Sequence, residues 1–253
     1  MNILFFAKQG KIGTNEAIEY LKRHFNDVII YVGKRGDEFS ADALAYEPDI
    51  LISYISPWII PSSLLNKTRK WNINFHPGPP NYPGIGCTNF AIYNREKEFG
   101  VTAHIMEEKV DRGKIIGVKR FPILETDNVY SLTVKSYVYL PILFYETFDY
   151  IIKYKKLPEC NEKWIRQPYT RRQLERLCKI TPEMSKKEIE RRIKSTEFPE
   201  MPGAYIELYG YKFEYNKKGK NVTVDAESVV IKNVPDNMVI VGNPGRIIKH
   251  KDE

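Results

Sequence analysis

The first 125 residues alternate short apolar runs with helix-like segments, and glycines and prolines mark several of the boundaries. This alternation limits the possible folds more than any other feature of the chain. Residues 2–6 form the first run, and residues 14–25 then place Ala17, Ile18 and Leu21 on one helical face. Residues 27–32 form the next run, closed by Gly33. A third covers 49–55 after Pro48, and a fourth covers 71–75 before Pro77. Strand, helix and strand in this order predict parallel strands joined by crossover helices.

The expected fold class is therefore α/β: an open, mostly parallel, Rossmann-like sheet with helices on both faces. Such sheets carry their sites at the carboxyl ends of the strands. The turn after the first run, AKQGKIG, has two glycines at the wrong spacing for GxGxxG or GxxxxGK[ST], so no dinucleotide or P-loop site is expected. Residues 100–106 and 114–122 read as two more strands, joined by EEKVDRG. A helix from 128 to about 154 follows, and Pro141 should bend it. Next come a polar, basic linker (155–167) and helices over 171–179 and 185–195, the second opened by the capping box Ser185–Lys186–Lys187–Glu188. Alternating residues on either side of Tyr209–Gly210 predict a hairpin. The expected domains are 1–154, a small C-terminal α+β region with the hairpin over 155–219, and a tail over 220–253.

Three cysteines lie far apart with no CxxC pair, which excludes a disulfide framework and a cysteine-rich zinc site and suits a reducing cytoplasm. The start lacks the charged entry and small-residue cleavage site of a secretory signal. The apolar stretch 129–152 is broken by Lys135, Pro141, Glu146 and Asp149, so a buried helix is expected there and no membrane span. Four histidines show no metal-ligand spacing, and no metal is expected. Net charge is +7. Residues 1–152 hold 17 basic and 17 acidic residues, so residues 153–253 carry the whole excess. A basic half fits nucleic acid, an anionic ligand or simple solubility.

The chemistry concentrates in WNINFHPGPPNYPGIGCT (71–88). Asn74 and His76 stand two apart at a strand end, so period two puts both on one face, at the carboxyl lip. An amide donor beside an imidazole suits attack on a carbonyl. The amide stabilises an oxyanion, and the imidazole donates to it or moves a proton. Asp111 lies in the acidic turn between the last two strands. His104 reads as a packed or hydrogen-bonded strand histidine rather than a base, and His24 and His250 as surface residues.

NxHPGPP, GVTxH and VDxGxII, in this order, resemble the folate-dependent formyltransferases, above all the bacterial sugar N-formyltransferases. The resemblance covers roughly residues 1–125. It implies transfer of a formyl group from 10-formyltetrahydrofolate to a primary amine, with Asn74, His76 and Asp111 as the catalytic trio. It puts the pterin against Trp58, Ile59 and Ile60 of SYISPWIIP and against Glu107, Glu108, Lys109 and Val110. The loop HPGPPNYPGIGCTN lacks the arginine found after the proline in tRNA enzymes. Together with FPEMPGAYIELYGYKFEY, it points to a dTDP- or UDP-linked 4-amino-4,6-dideoxy sugar destined for surface glycans. Lys8, Lys11, Asn81, Tyr82 and Gly84 are the expected substrate contacts, since a diphosphate needs cations and sugars pack on tyrosine. The resemblance also implies a homodimer built on the hairpin, with neither membrane nor nucleic acid as partner. An enzyme acting on aminoacyl-tRNA, a folate- or carbohydrate-binding scaffold and a formyl-folate hydrolase are the alternatives. The tail, with its VGNPGR phrase, resembles the last coil of left-handed β-helix acyltransferases, but one coil cannot bury its own face.

Overall fold

The computed structural model describes residues 1–199, 201–215, 223–224, 238–241 and 246–250. The chain divides into two compact units, Met1–Ala204 and Tyr205–Glu253.

The first unit is built on six strands: β1 (Asn2–Lys8), β2 (Asp27–Gly33), β3 (Ile50–Tyr54), β4 (Trp71–His76), β5 (Glu98–Ile105) and β6 (Ile115–Pro122). Their order in the sheet is β2-β1-β3-β4-β5-β6. The first four run parallel, and β5 is antiparallel to both its neighbours. The expected open, mostly parallel sheet is the observed one.

Period two sorts each strand between the faces. Ile3, Phe5 and Ala7 of β1 point to one core, and Leu4 and Phe6 to the other. The first core is covered by α1 (Thr14–His24) and by α4 (Val129–Tyr154). Helix α4 starts in a capping box, where Asn128 and Ser131 bond each other's backbone N–H. Pro141 lies inside it and leaves the Tyr137 carbonyl without its helical donor. Its Phe144 is fully buried among Phe5, Tyr54, Phe75 and Phe148, with ring centroids 4.7–6.4 Å away. The opposite face is covered by a 3-10 turn (Ala41–Ala45) and the short α2 (Ser62–Leu65).

Helix α3 (Cys87–Asn94), which the pattern did not show, follows the proline-rich loop. Helices α5 (Arg171–Cys178) and α6 (Lys186–Thr196) follow the expected spans closely. Ser185 caps α6 by accepting from Glu188 N, but the box is half formed, because the Glu188 carboxylate bonds Tyr93 and Arg192 instead.

The segment expected to be a linker is packed, and residues 155–204 belong to the same compact unit as residues 1–154. Ile165 N donates to Pro80 O (3.3 Å), Tyr169 N to Pro83 O (2.9 Å), and Ile85 N to Tyr169 O (2.9 Å). The boundary between units falls after Ala204, with none at 154.

In the second unit, Tyr205–Leu208 and Tyr211–Glu214 pair antiparallel as the expected hairpin. Tyr209 and Gly210 both have positive φ (51° and 82°), the geometry of a type I′ turn. Most of the tail resembling a β-helix coil lies outside the described residues. Those described form a small sheet, with Thr223–Val224 parallel to Met238–Val241 and the latter antiparallel to Arg246–His250.

Candidate active site

Strand β4 delivers Asn74 and His76 to the carboxyl lip of the sheet, where Pro77 ends it. The antiparallel register sets His104 of β5 directly opposite Asn74. Asn74 Nδ2 donates to His104 Nε2 at 2.9 Å, and His104 Nδ1 donates to its neighbour's carbonyl, Ile105 O, at 2.8 Å. A bulge in β6, opposite Ala103 and His104, shifts the register at this point.

Asp111 comes from the turn between β5 and β6 and adopts a positive φ of 49°. Its carboxylate sits between the two imidazoles, Oδ2 3.4 Å from His76 Nδ1 and Oδ1 3.3 Å from His104 Nε2. Gly84 N donates to Oδ2 at 2.8 Å. Asp111, His76 and His104 are all buried. Burial alone would raise the Asp111 carboxyl. The His76 charge, the neighbouring His104 ring and the Gly84 N–H outweigh it and hold the group well below its ordinary 3.8. It is therefore a carboxylate at neutral pH. His76 Nε2 faces the Tyr82 carbonyl at 3.2 Å, so both its nitrogens face acceptors.

The loop after β4 closes tightly on this cluster. A Cβ on Gly78 would lie 2.6 Å from His76 Nε2, and Thr102 Oγ1 donates to Gly78 O at 2.7 Å. Cys87 also borders the site. Burial pushes its thiol up to about 12, so it stays protonated and is no nucleophile.

These side chains open into a cleft of about 530 Å³, and residues 58–60 and 107–110 line it with Lys8 and Gly84. Trp58 is anchored by its indole N–H to Asp37 O (2.9 Å) and packs edge-on against Phe6 and Phe39. Ile59 is exposed, whereas Ile60 is buried in the second core. Among the described residues, no group of three or more His, Cys, Asp or Glu is placed to hold a metal ion, and no helix is long and apolar enough to cross a membrane.

Comparison with known proteins decides the family. The sequence profile described as formyl transferase matches residues 8–137, just over half of the chain. The chain belongs to the formyl transferase family. Among curated relatives of this chain, GDP-perosamine N-formyltransferase of Brucella melitensis is 29% identical over 175 residues, covering 69% of this chain and 66% of that one. Methionyl-tRNA formyltransferase of Lactobacillus johnsonii is 29% identical over 182 residues, covering 71% of this chain and 56% of that one. The matches thus span less than two thirds of these relatives' own length. Among solved structures, a 4-N formyltransferase from Francisella tularensis shares the fold with a TM-score of 0.67 at 19% identity, covering 85% of this chain and 96% of that one. A sugar N-formyltransferase from Shewanella has a TM-score of 0.68 at 18% identity, with the same coverage.

Three of the expected substrate contacts lie outside the cleft lining. The Tyr82 ring is buried and stacks on Tyr169 at 6.0 Å, with its hydroxyl donating to Glu96 (2.6 Å), so only its carbonyl reaches the site. Asn81 accepts from Arg120 at 3.4 Å. Lys11 sits 5.1 Å from the ring centroid of Tyr137, and it is Tyr137 that borders the cleft.

Three residues that the sequence reading passed over belong to the site. His104 is wedged between Asn74 and Asp111 rather than merely packed in its strand. Arg35, after β2, and Arg171, first residue of α5, line the cleft with Lys8. The Lys8 ammonium is pushed down by burial, then by the charges of Lys11 and Arg35. Arg35 follows a predicted strand at its carboxyl end, a position that could have marked it. Nothing local marks Arg171.

Proposed function

We propose that the chain is an N-formyltransferase that moves the formyl group of 10-formyltetrahydrofolate to the primary amine of a nucleotide-linked amino-dideoxy sugar. The observation that carries the reading is the buried carboxylate held between two imidazoles, with the Asn74 amide beside it, at the lip of one cleft. The cleft is roomy enough for a pterin, and Trp58, Ile59, Ile60 and the stretch 107–110 offer it an apolar and backbone wall. The bound formyl donor supplies an electrophilic carbonyl carbon.

The chain's own groups do the rest. Asn74 gives one amide hydrogen to His104 and keeps the other for the formyl oxygen as it becomes an oxyanion. The His76–Asp111 pair receives the proton that the attacking amine sheds, directly or through a water, and returns it to the departing nitrogen. One carbon–nitrogen bond forms, one breaks, and the proton count is unchanged. His104 orients Asn74 and shares the Asp111 charge. Lys8, Arg35 and Arg171 supply positive charge for a diphosphate.

The sugar acceptor is favoured because the match to GDP-perosamine N-formyltransferase takes in 66% of that relative, whereas the match to methionyl-tRNA formyltransferase of Lactobacillus johnsonii takes in 56% of that one. The exposed Tyr209, Tyr211, Phe213 and Tyr215 of the hairpin support a homodimer, to be tested by light scattering. Three free cysteines suit a cytoplasmic location.

The test is turnover with 10-formyltetrahydrofolate and a panel of dTDP-, UDP- and GDP-linked amino sugars. Formylation of none rejects the sugar acceptor. A second reading, formylation of an aminoacyl-tRNA, rests on the methionyl-tRNA enzymes among the relatives and on the basic residues after 152. It requires binding that weakens steeply with salt, whereas sugar turnover should respond mildly.

A further inference from the structure

We propose that Trp164, from the segment between α4 and α5, is a positioning residue that holds the catalytic turn and covers both imidazoles. This rests on the formyl-transfer reading above.

Trp164 belongs to no helix or strand, yet its ring meets two site histidines. It lies 5.0 Å from His104 at 85° and 6.1 Å from His76 at 74°, both T-shaped. Its indole Nε1 donates to Gly113 O at 2.8 Å. Gly113 lies two residues after Asp111 in a turn with no slack, since a Cβ there would stand 2.0 Å from Ile105 O. Asp111 itself is held at positive φ, a conformation that persists in a non-glycine residue only where its surroundings enforce it. The indole hydrogen bond closes that turn from the outside.

The same segment grips the other wall. The backbone of Ile165 and Tyr169 bonds the proline-rich loop at Pro80, Pro83 and Ile85, and Gly84 of that loop donates to Asp111. The Arg166 guanidinium lies 3.4 Å from the Tyr169 ring centroid and stiffens the strap. One stretch thus fixes both sides of the carboxylate. Its indole also keeps water from the imidazoles, which strengthens their attraction to Asp111.

Two variants of the full chain separate these roles. Trp164→Phe keeps a ring and loses the N–H, whereas Trp164→Leu loses both. Trp164→Phe should lower kcat about tenfold with KM for both substrates within about twofold of wild type, and Trp164→Leu should lower it further. The melting temperature should stay near that of wild type. Fluorescence gives a readout independent of turnover. The other tryptophans are Trp58 and Trp71, so subtracting the Trp164→Phe emission from that of wild type isolates Trp164. Its ring lies edge-on against His104 and its N–H is bonded to Gly113, so this difference signal should resist acrylamide quenching more than free tryptophan does, and His104→Gln, which removes one of the rings it lies against, should lessen that protection. Kcat within about twofold of wild type in both variants overturns the proposal. A difference signal quenched as readily as free tryptophan does the same. Should wild type formylate no acceptor, the functional reading fails alone, and the quenching measurement still decides the placement of Trp164. Protection that lessens in His104→Gln upholds it, and its absence in wild type refutes it.

Discussion

Asp111→Asn removes one charge and almost nothing else. The amide oxygen still accepts from Gly84 N, and the side chain keeps its shape in a site with no spare room. What disappears is a carboxylate 3.4 Å from His76 Nδ1 and 3.3 Å from His104 Nε2. Two unit charges at 3.4 Å attract by about 5 kcal/mol at an effective dielectric of about 20. The proton handed from the amine to His76 is stabilised by that attraction, so its loss raises the barrier. If only half of it, about 2.5 kcal/mol, is felt at the transition state, the rate falls about 70-fold. The assay is steady-state formyl transfer to the best acceptor of the nucleotide-sugar panel, with thermal melting run in parallel to show that the variant is folded. A folded Asp111→Asn that keeps more than about a tenth of wild-type kcat refutes the proton-handling role assigned to the pair.

Three other expectations test different parts of the structure. Asn74→Ala removes an oxyanion donor and should cost on the order of 10²–10³ in kcat with KM little changed; a kcat close to wild type would show that the amide does not touch the reacting oxygen. Because the folded Asp111 carboxyl is held below 3.8, it adds stability that is fully present above that value and drains away as pH falls below it. Urea midpoints of wild type should therefore drop more steeply than those of Asp111→Asn in that acid range, and parallel curves would contradict the lowered pKa. Gly113→Ala places a methyl against the Ile105 carbonyl, 2.0 Å away, and should destabilise by about 1–3 kcal/mol, read from the urea midpoint; an unchanged midpoint would mean the turn can yield.

Much of the fold was legible locally. The short runs at 2–6, 49–55 and 71–75 declared strands, and Pro77 declared where β4 stops. The period of two along a strand put Asn74 and His76 together at the lip. A positive φ at Tyr209 and Gly210 is what a two-residue hairpin turn demands, and flanking alternation marked its place. The half-formed cap at Ser185 shows the limit of such signals: Glu188 had the right spacing, yet Tyr93 and Arg192 offered its carboxylate better partners.

By itself, then, the sequence determined which elements form and which edge of the sheet carries the chemistry, because both follow from steric periods within a few residues. Only the tertiary structure decided who meets at that edge. His104 joins the site because antiparallel register sets it across from Asn74. Tyr82 leaves it because its ring finds Tyr169, far along the chain. Trp164 arrives on a segment that reads as a plain basic linker until it packs across two loops, and Arg171 on the helix that follows it. Those meetings depend on strand register and on long-range packing, which no local spacing encodes.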